Sequence, residues 1–305
     1  MSFRDRLLAL TIVLVWGINF VVIKVGLQGM PPLLLAGLRF TFVAFPALFF
    51  VKRPQLPLKW LLMYGLTISF GQFSLLFWAI NVGLSAGLAS LLLQVQAFIT
   101  LLLGVFLLKE KIRLHNVIAI SIAALGIYLL ATAQTLDTSS VTGLTLVLII
   151  GAAGCWAMGN ITNKVIMQNY QVPTMSLIIW SALVPMLAFA VASFYIEGKA
   201  LIIDSLSHIE WHNIFSLMYL SFLATIVGYG GWSYLLSRYE TSLVAPLSLL
   251  VPVFGLLSAM LLLGEHLNLH QIAGVVIIAA GLVINVFGKR WFTMKMADVR
   301  PLPEE

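Results

Sequence analysis

Residues Trp60 to Leu108 contain no charged side chain and read WLLMYGLTISFGQFSLLFWAINVGLSAGLASLLLQVQAFITLLLGVFLL. A helix that crosses a lipid bilayer needs about 20 mostly apolar residues, so this stretch is long enough for two such helices. The segment Asn81–Ser85, which contains a glycine and a serine, is the expected break between them. Two spanning helices in one uninterrupted stretch predict a polytopic membrane protein.

The rest of the chain continues this pattern. Two further apolar runs lie within the first fifty residues, separate at Gln28–Pro32, and carry Lys24 and Arg39. Each of the remaining charge-free runs is long enough for one spanning helix. These runs are Leu114–Leu136, Thr138–Asn163, Val165–Ile196, Trp211–Ser237, Thr241–Gly264 and Leu267–Gly288. The sequence therefore predicts an all-α integral membrane protein with ten transmembrane helices.

The composition excludes several classes of protein. Of the 305 residues, 61% are hydrophobic and 9% are charged, whereas a soluble domain carries about 25% charged residues. The chain is therefore neither a soluble enzyme nor disordered, and the apolar character from Leu7 to Gly288 is too extensive for a signal peptide. The single cysteine, Cys155, lies in an apolar run and is interpreted as a packing residue.

The positive charges predict the orientation in the membrane. With the N-terminus in the cytoplasm, thirteen lysines and arginines fall on the cytoplasmic side and Lys199 alone falls outside. Such a bias follows the positive-inside rule for membrane proteins and predicts that both termini lie in the cytoplasm. The net charge of +6 is thereby assigned to cytoplasmic loops, and no nucleic-acid partner is expected. The cytoplasmic set is Arg4, Arg6, Lys52, Arg53, Lys59, Lys109, Lys111, Arg113, Arg238, Lys289, Arg290, Lys295 and Arg300.

The chain contains an internal repeat. An offset of 155 residues aligns Leu62-Met63-Tyr64 with Leu217-Met218-Tyr219, Glu110 with Glu265, and Leu114-His115 with Leu269-His270; an offset of 140 aligns Trp16 with Trp156 and Lys24 with Lys164. The prediction is two five-helix repeats, 1–135 and 136–294, followed by a short cytoplasmic tail, 295–305. Because five is odd, the two repeats have opposite orientations, as in many secondary transporters.

Motifs for other functions are missing from the sequence. No nucleotide-binding G-x-x-x-x-G-K-[ST] motif, H-E-x-x-H motif or Cys/His cluster is present. We therefore expect no enzyme activity, no cofactor, no bound metal and no ATPase partner. Membrane lipid is an expected partner, and the oligomeric state is open between a monomer and a homodimer.

Several stretches carry a family resemblance. The segments Trp16–Phe20 (WGINF), Glu240–Pro246 and Gly264-Glu265 resemble the EamA family of the drug/metabolite transporter superfamily. The segments Asn19–Phe40 and Ser216–Leu256 are similar to bacterial inner-membrane exporters of O-acetylserine and cysteine. The resemblance implies gradient-driven export across a bacterial inner membrane, with a small amino-acid substrate or metabolite as the partner. The inverted repeats predict that this export occurs by alternating access. Export of other amino acids or drugs, and passive facilitation by the same fold, remain alternatives.

Arg39 is the most informative charge inside a predicted span. A charge at such a depth costs at least about 2.5–3.5 kcal/mol on insertion scales, so the side chain is expected to face a cavity or a partner. Two roles are open: a counter-charge for a substrate carboxylate, or a residue that pairs with helix carbonyls or reaches the outer interface.

Other polar and aromatic side chains share helix faces and are candidates for contact with a substrate. On the two repeat-related helices, two interpretations are open: the polar faces meet across the pseudo-axis, or they hold neighbouring helices together. Gln94 is preferred to Gln96, which points about 200° away on an ideal helix. Helix packing is the competing interpretation for all of them. The substrate-binding candidates are Trp16, Asn19, Arg39, Gln72, Gln94, Trp156, Asn160, Tyr229 and Trp232.

Two acidic residues at predicted helix ends are followed by histidines, and these four residues are candidates for a proton-sensitive gate: Glu110, His115, Glu265 and His270. Charged residues that anchor helix ends are the alternative. Lys24 and Lys164 either extend to the interface or attract substrate at the two mouths. Pro246 and Pro252 predict a kinked ninth span.

Overall fold

The computed structural model describes residues 1–45, 47–132 and 141–297. Within them, ten helices are long and apolar enough to cross a membrane, which confirms the predicted number. The spanning helices are α1 (Phe3–Gly26), α2 (Pro32–Ala44, with a 3₁₀ turn at Ala47–Phe49), α3 (Leu58–Asn81), α4 (Ala86–Leu108), α5 (Leu114–Thr132), α6 (Gly143–Asn169), α7 (Thr174–Glu197), α8 (Trp211–Arg238), α9 (Thr241–Leu263) and α10 (Leu269–Ala297).

Local sequence signals explain where the helices begin. The Ser2 hydroxyl accepts a hydrogen bond from the Asp5 backbone N–H at the start of α1. Pro32 lies in the first turn of α2, where a backbone N–H would have no acceptor within the helix, so proline costs no hydrogen bond there. Between α3 and α4, Gly83 has a φ of 111° and Ser85 caps α4. The break predicted at Asn81–Ser85 is therefore present.

The boundary between α6 and α7 differs from the prediction. The charge-free runs placed it at Lys164, whereas α6 continues to Asn169 and α7 begins at Thr174. Pro173 is the N-cap of α7, and a residue before proline disfavours the helical conformation. A short helix over Lys199–Ser207, which the sequence analysis did not predict, connects α7 to α8. The predicted domain boundary at 135/136, Pro46 and the tail from residue 298 lie outside the described residues.

The helices are arranged in pairs that follow the repeat. Helix α1 packs on α9, and its repeat mate α6 packs on α4. Helix α2 packs on α7, while α5 packs along α10 at one side of the bundle. Close crossings need small residues, because a Cβ on Gly17 would lie 2.5 Å from Phe254 Cβ and one on Gly126 would lie 2.7 Å from Ile278 Cγ1.

Irregular turns occur at related positions in the two halves. Helices α3 and α8 contain π-helical segments, at Gly65–Gly71 and Tyr219–Val227. Helices α4 and α9 contain 3₁₀ turns, at Leu93–Val95 and Ala245–Leu249. The turn in α9 includes Pro246, but α4 forms its own without a proline, so proline is not required for the interruption. These turns change which side chains face the centre of the bundle.

Candidate functional site

A cavity lies between the two repeats, enclosed by α2 and α3 of the first and α7 and α8 of the second. Its empty volume is about 380 Å³, part of which is open to the outside. The centre of a water molecule has access to only about 30 Å³ of it. The cavity is therefore narrow, and a substrate requires its walls to separate. The residues that line it are Arg39, Phe40, Val43, Tyr64, Ile68, Ser69, Phe73, Ile178, Ser181, Thr225 and Tyr229.

Arg39 is the positive group of this cavity. Its side chain is buried, at 3% exposure, about 10 Å along α2 from Pro32. One guanidinium nitrogen, Nη2, donates a hydrogen bond to Thr225 Oγ1 over 3.0 Å. The other two nitrogens, Nε and Nη1, have no hydrogen-bond partner among the described residues. Arg39 thus neither reaches the interface nor pairs with helix carbonyls, and it has N–H groups available for a ligand.

Neighbouring helices hold Arg39 in place. The Ser221 hydroxyl donates to the Arg39 backbone carbonyl over 3.0 Å, which fixes α2 against α8. The Thr225 hydroxyl donates to the Leu220 carbonyl over 2.7 Å, a contact five residues back that fits the π-helical segment. The guanidinium carbon also lies 4.2 Å from the centroid of the Phe73 ring, where the ring face attracts a cation.

The chemistry of the cavity is that of an anion site. A guanidinium presents a planar set of N–H donors that matches a carboxylate with two parallel hydrogen bonds. None of the described residues that line the cavity is acidic. The described residues also contain no group of three or more His, Cys, Asp or Glu side chains that could hold a metal ion. The arrangement can therefore bind a carboxylate without a metal.

Aromatic side chains support one wall of the cavity. Tyr229 lines it, and the Trp16 ring packs on Tyr229 and Trp232 with centroid distances of 5.4 and 5.2 Å. Trp16 Nε1 donates to the Ala224 carbonyl over 2.9 Å, so its polar group is already satisfied. Of the predicted aromatic candidates, Tyr229 thus faces the cavity, while Trp16 and Trp232 stand behind it.

Asn160 is placed differently from the expectation. Its side-chain amide donates to Gln96 Oε1 over 2.7 Å and to Thr100 Oγ1 over 3.2 Å, so it faces α4. The α1 helix, which carries Trp16, packs on α8 and α9, so of the two interpretations the structure favours helix packing for Asn160. Asn160 contacts Gln96, which the ideal-helix argument had set aside; the 3₁₀ turn at Leu93–Val95 alters the angles on which that argument rested.

The remaining amide and indole candidates lie away from the lining of the cavity. Gln94 Nε2 donates to the Ser248 carbonyl of α9 over a long 3.4 Å. Asn19 is buried, and its Oδ1 has no hydrogen-bond partner among the described residues. Gln72 is buried in α3, and Trp156 packs against the main apolar core. Asn19 therefore resembles Arg39 in having an unsatisfied buried polar atom.

Among the described residues, each glutamate of the four gate candidates contacts a lysine of the other repeat. Glu265 Oε1 lies 2.8 Å from Lys24 Nζ, and its two oxygens accept the Ala86 and Gly87 backbone N–H groups over 2.9 and 3.0 Å. Lys164 and Glu110 form the repeat-related pair at the opposite end of the bundle. Each lysine thus pairs with a carboxylate of the other repeat, and the two roles considered for the lysines, extension to the interface and attraction of substrate, stay predictions.

The histidines occupy other surroundings. His115 is buried at 7% exposure and lies against α10, where a Cβ on Gly288 would be 2.7 Å from its Cβ. His270 is exposed in the first turn of α10. Their part in proton sensing stays a prediction.

The two ends of the bundle are closed to different extents. We call the end at which α1 begins the first end and the other the second end. At the second end, Glu265 is 12% exposed, and Glu197 of α7 accepts the Leu33 and Leu34 backbone N–H groups of α2 over 2.7 and 3.0 Å. At the first end, Glu110 is 42% exposed, and the start of α7 has no side-chain cap. The second end is the more firmly closed.

Sequence reasoning missed several residues of the site. Tyr64 lines the cavity and belongs to the Leu-Met-Tyr match between the repeats, and this match is the sequence signal that could have identified it. Phe73 and Ser181 also line it, but apolar helices contain many such residues. Glu197 directly follows the predicted span Val165–Ile196, and its two hydrogen bonds to α2 connect the repeats.

Comparisons with known proteins agree with this architecture. The model of a protein family described as "EamA-like transporter family" matches residues 6–132 and 143–287, with one match in each repeat. A "Probable amino-acid metabolite efflux pump" of Escherichia coli K12 is 57% identical over 95% of this chain and 97% of its own length. A protein of the same description from Salmonella typhimurium LT2 is 56% identical over 95% of this chain and 97% of its own length.

A solved structure titled "Crystal structure of protein" shares the fold. It superposes with a TM-score of 0.64 over 96% of this chain and 99% of that chain, at 18% sequence identity. Ten apolar helices in two inverted repeats, a cavity between the repeats and the match in both halves lead to one assignment. This chain is a multi-pass membrane protein that belongs to the EamA-like transporter family, and it is a transporter rather than an enzyme.

Proposed function

We propose that the protein is a secondary exporter that carries cysteine, O-acetylserine and similar small amino-acid metabolites out of the bacterial cytoplasm. The observation that carries the proposal is Arg39, a buried cation between the repeats with two unpartnered nitrogens. A substrate carboxylate is the group that satisfies it. The relatives described as probable amino-acid metabolite efflux pumps support the same substrate class.

Alternating access is the proposed mechanism. The inverted repeats supply two similar halves that can exchange conformations about a site between them. The pairs Lys24–Glu265 and Lys164–Glu110 are related by the repeat and lie at opposite ends. In the proposal the substrate enters at the first end, which is the cytoplasmic end in the orientation predicted from the positive charges. The halves then rock, the Lys24–Glu265 pair separates, and the substrate leaves.

The substrate site of the proposal has two layers. Arg39 and Tyr229 contact the substrate directly, with Trp16 and Trp232 as the support of Tyr229. As the halves move, the side chains on the adjacent helix faces join them. These are Asn19, Gln72, Gln94, Trp156 and Asn160. Glu110, His115, Glu265 and His270 form the gates, and a proton gradient acts on transport through them.

Counterflow in proteoliposomes tests the proposal. Vesicles are loaded with unlabelled cysteine, O-acetylserine or an aromatic amino acid, and labelled substrate is added outside, with and without an imposed pH gradient. We expect transient accumulation with the two small compounds. Counterflow with aromatic amino acids alone refutes the substrate, and high flux without trans-acceleration refutes a carrier in favour of a facilitator. Protein-free vesicles and the Arg39→Met variant are the controls.

A further inference from the structure

Among its described lining residues, the central cavity contains one positive charge and no negative charge. Arg39 is the only cation among the described residues that line it, and none of them carries a carboxylate. The other polar groups of the lining are neutral hydroxyls, from Tyr64, Ser69, Ser181, Thr225 and Tyr229. A ligand in this cavity therefore meets a positive site surrounded by hydroxyl groups and aromatic rings.

The asymmetry affects the two ends of an amino acid in opposite ways. A carboxylate placed at Arg39 Nε and Nη1 neutralises the guanidinium and satisfies both nitrogens. The ammonium group on the adjacent carbon is then held close to the same guanidinium. Two like charges at short range in a site shielded from water repel strongly. No described acidic side chain of the lining compensates for that repulsion.

We propose that the cavity selects carboxylates of net negative charge, so that 2-oxo acids and N-acyl amino acids bind more tightly than zwitterionic amino acids of the same size. The inference rests on the proposed function, because it takes this cavity as the substrate site. A 2-oxo acid keeps the carboxylate and replaces the ammonium with a carbonyl oxygen. Hydroxyl groups such as those of Ser69 and Tyr229 donate to that oxygen, and they accept from an ammonium group but carry no negative charge to offset its repulsion from Arg39.

Three compounds with the same four-carbon skeleton test the carboxylate and the ammonium group of an amino acid separately. 2-Aminobutyrate is a zwitterion in which a methyl group replaces the thiol of cysteine, 2-oxobutyrate carries only the negative charge, and 2-aminobutyramide carries only the positive charge. Each compound competes with counterflow of labelled cysteine into vesicles that contain the full-length protein. Labelled 2-oxobutyrate is also tested directly, against protein-free vesicles. We expect 2-oxobutyrate to inhibit at a concentration at least about tenfold lower than 2-aminobutyrate, and the amide to have no effect.

The outcomes distinguish this inference from the proposed function. If 2-aminobutyrate inhibits more strongly than 2-oxobutyrate, the inference is overturned and the proposed exporter stands. If the amide inhibits as well as the acids, Arg39 does not read a carboxylate, and both the site and the inference fail. If labelled cysteine shows no counterflow but labelled 2-oxobutyrate does, the cysteine assignment fails and the charge preference is supported.

A pair of variants supplies the acidic group that the cavity lacks. Ser69→Asp places a carboxylate in the lining, and Ser69→Asn is the neutral control of the same size. We expect Ser69→Asp to shift the preference toward 2-aminobutyrate by about tenfold or more, with no such shift in Ser69→Asn. The ratio of two inhibitors is measured on each variant, so a lower yield of folded protein leaves the readout unchanged. Equal ratios in the two variants overturn the inference.

Discussion

Replacing Arg39 with methionine separates a role in substrate binding from a role in holding the helices together. Methionine has a similar length, keeps the apolar contacts of the stem and removes the guanidinium. Among the described residues, the guanidinium makes one hydrogen bond, to Thr225, a close ring contact with Phe73 and a longer one with Phe40. Its other two nitrogens have no partner among the described residues.

These contacts set the expected change in stability. Removing the hydrogen bond of a charged group costs about 1.5–3 kcal/mol, and losing the ring contact with Phe73 costs about 0.5–2 kcal/mol. Removing the two buried nitrogens that have no partner stabilises the fold by about 1–3 kcal/mol for each, because their desolvation penalty is lost. The opposing terms nearly cancel, so the free energy of unfolding should change by less than about 2 kcal/mol. A charge held in a structural buried pair would instead cost about 3–5 kcal/mol when one partner is removed.

The expected change in substrate binding is larger. Truncating one partner of a buried, hydrogen-bonded charge pair costs about 2–5 kcal/mol of binding free energy, which corresponds to a loss of affinity of about 30-fold or more. The assay combines the concentration dependence of counterflow with thermal unfolding in detergent, with and without substrate. A substrate at 100 times its Kd stabilises the wild type by about 2.7 kcal/mol, and the variant should lose this response.

Arg39→Lys is the matched control. It keeps a positive charge but lacks the planar set of donors, so we expect transport between that of the wild type and that of Arg39→Met. Two results would refute the reasoning. Normal transport by Arg39→Met removes Arg39 from the substrate site. Loss of transport together with a destabilisation of about 3 kcal/mol or more assigns Arg39 to the structure.

Three further predictions concern the groups around the cavity and at its ends. Thr225→Val removes the hydrogen bond of Arg39 Nη2 and should lower the apparent affinity in counterflow about tenfold, with unchanged membrane insertion; unchanged affinity would contradict this. Glu265→Gln should lower the melting temperature more than Glu110→Gln, because Glu265 is less exposed and accepts two backbone N–H groups; equal shifts would show that both pairs are surface contacts. Asn160→Ala and Gln94→Ala should each lower transport while insertion stays intact; normal transport in both would remove them from the site.

The number of spans and the repeat could be predicted because they depend on quantities that a sequence carries directly. A spanning helix requires a certain length of apolar residues, and lysine and arginine avoid the outer side. The boundary at Lys164 was wrong because the absence of charge does not report where a helix ends. Helix α7 instead begins directly after Pro173, which lies nine residues beyond Lys164 and restricts the backbone of the residue before it.

The site could be predicted only in part. Arg39 was identified because a charge within an apolar run is costly to bury, and the sequence alone shows that such a charge is present. Its partners come from other helices: Thr225 from α8 and Phe73 from α3. The π-helical and 3₁₀ turns rotate the faces of α3, α8 and α4 away from the ideal period, which is why Asn160 contacts Gln96.

By itself, the sequence determined that this protein crosses the membrane ten times and that its halves are inverted copies, since apolar length, charge bias and matched residues do not depend on packing. The tertiary structure alone decided which polar groups face one another. Among the described residues, it left Arg39 without a counter-charge in the lining of the cavity and joined Lys24 to Glu265 across the repeats. The reason is that contacts between helices depend on their rotation and crossing, and a uniformly apolar sequence leaves both unspecified.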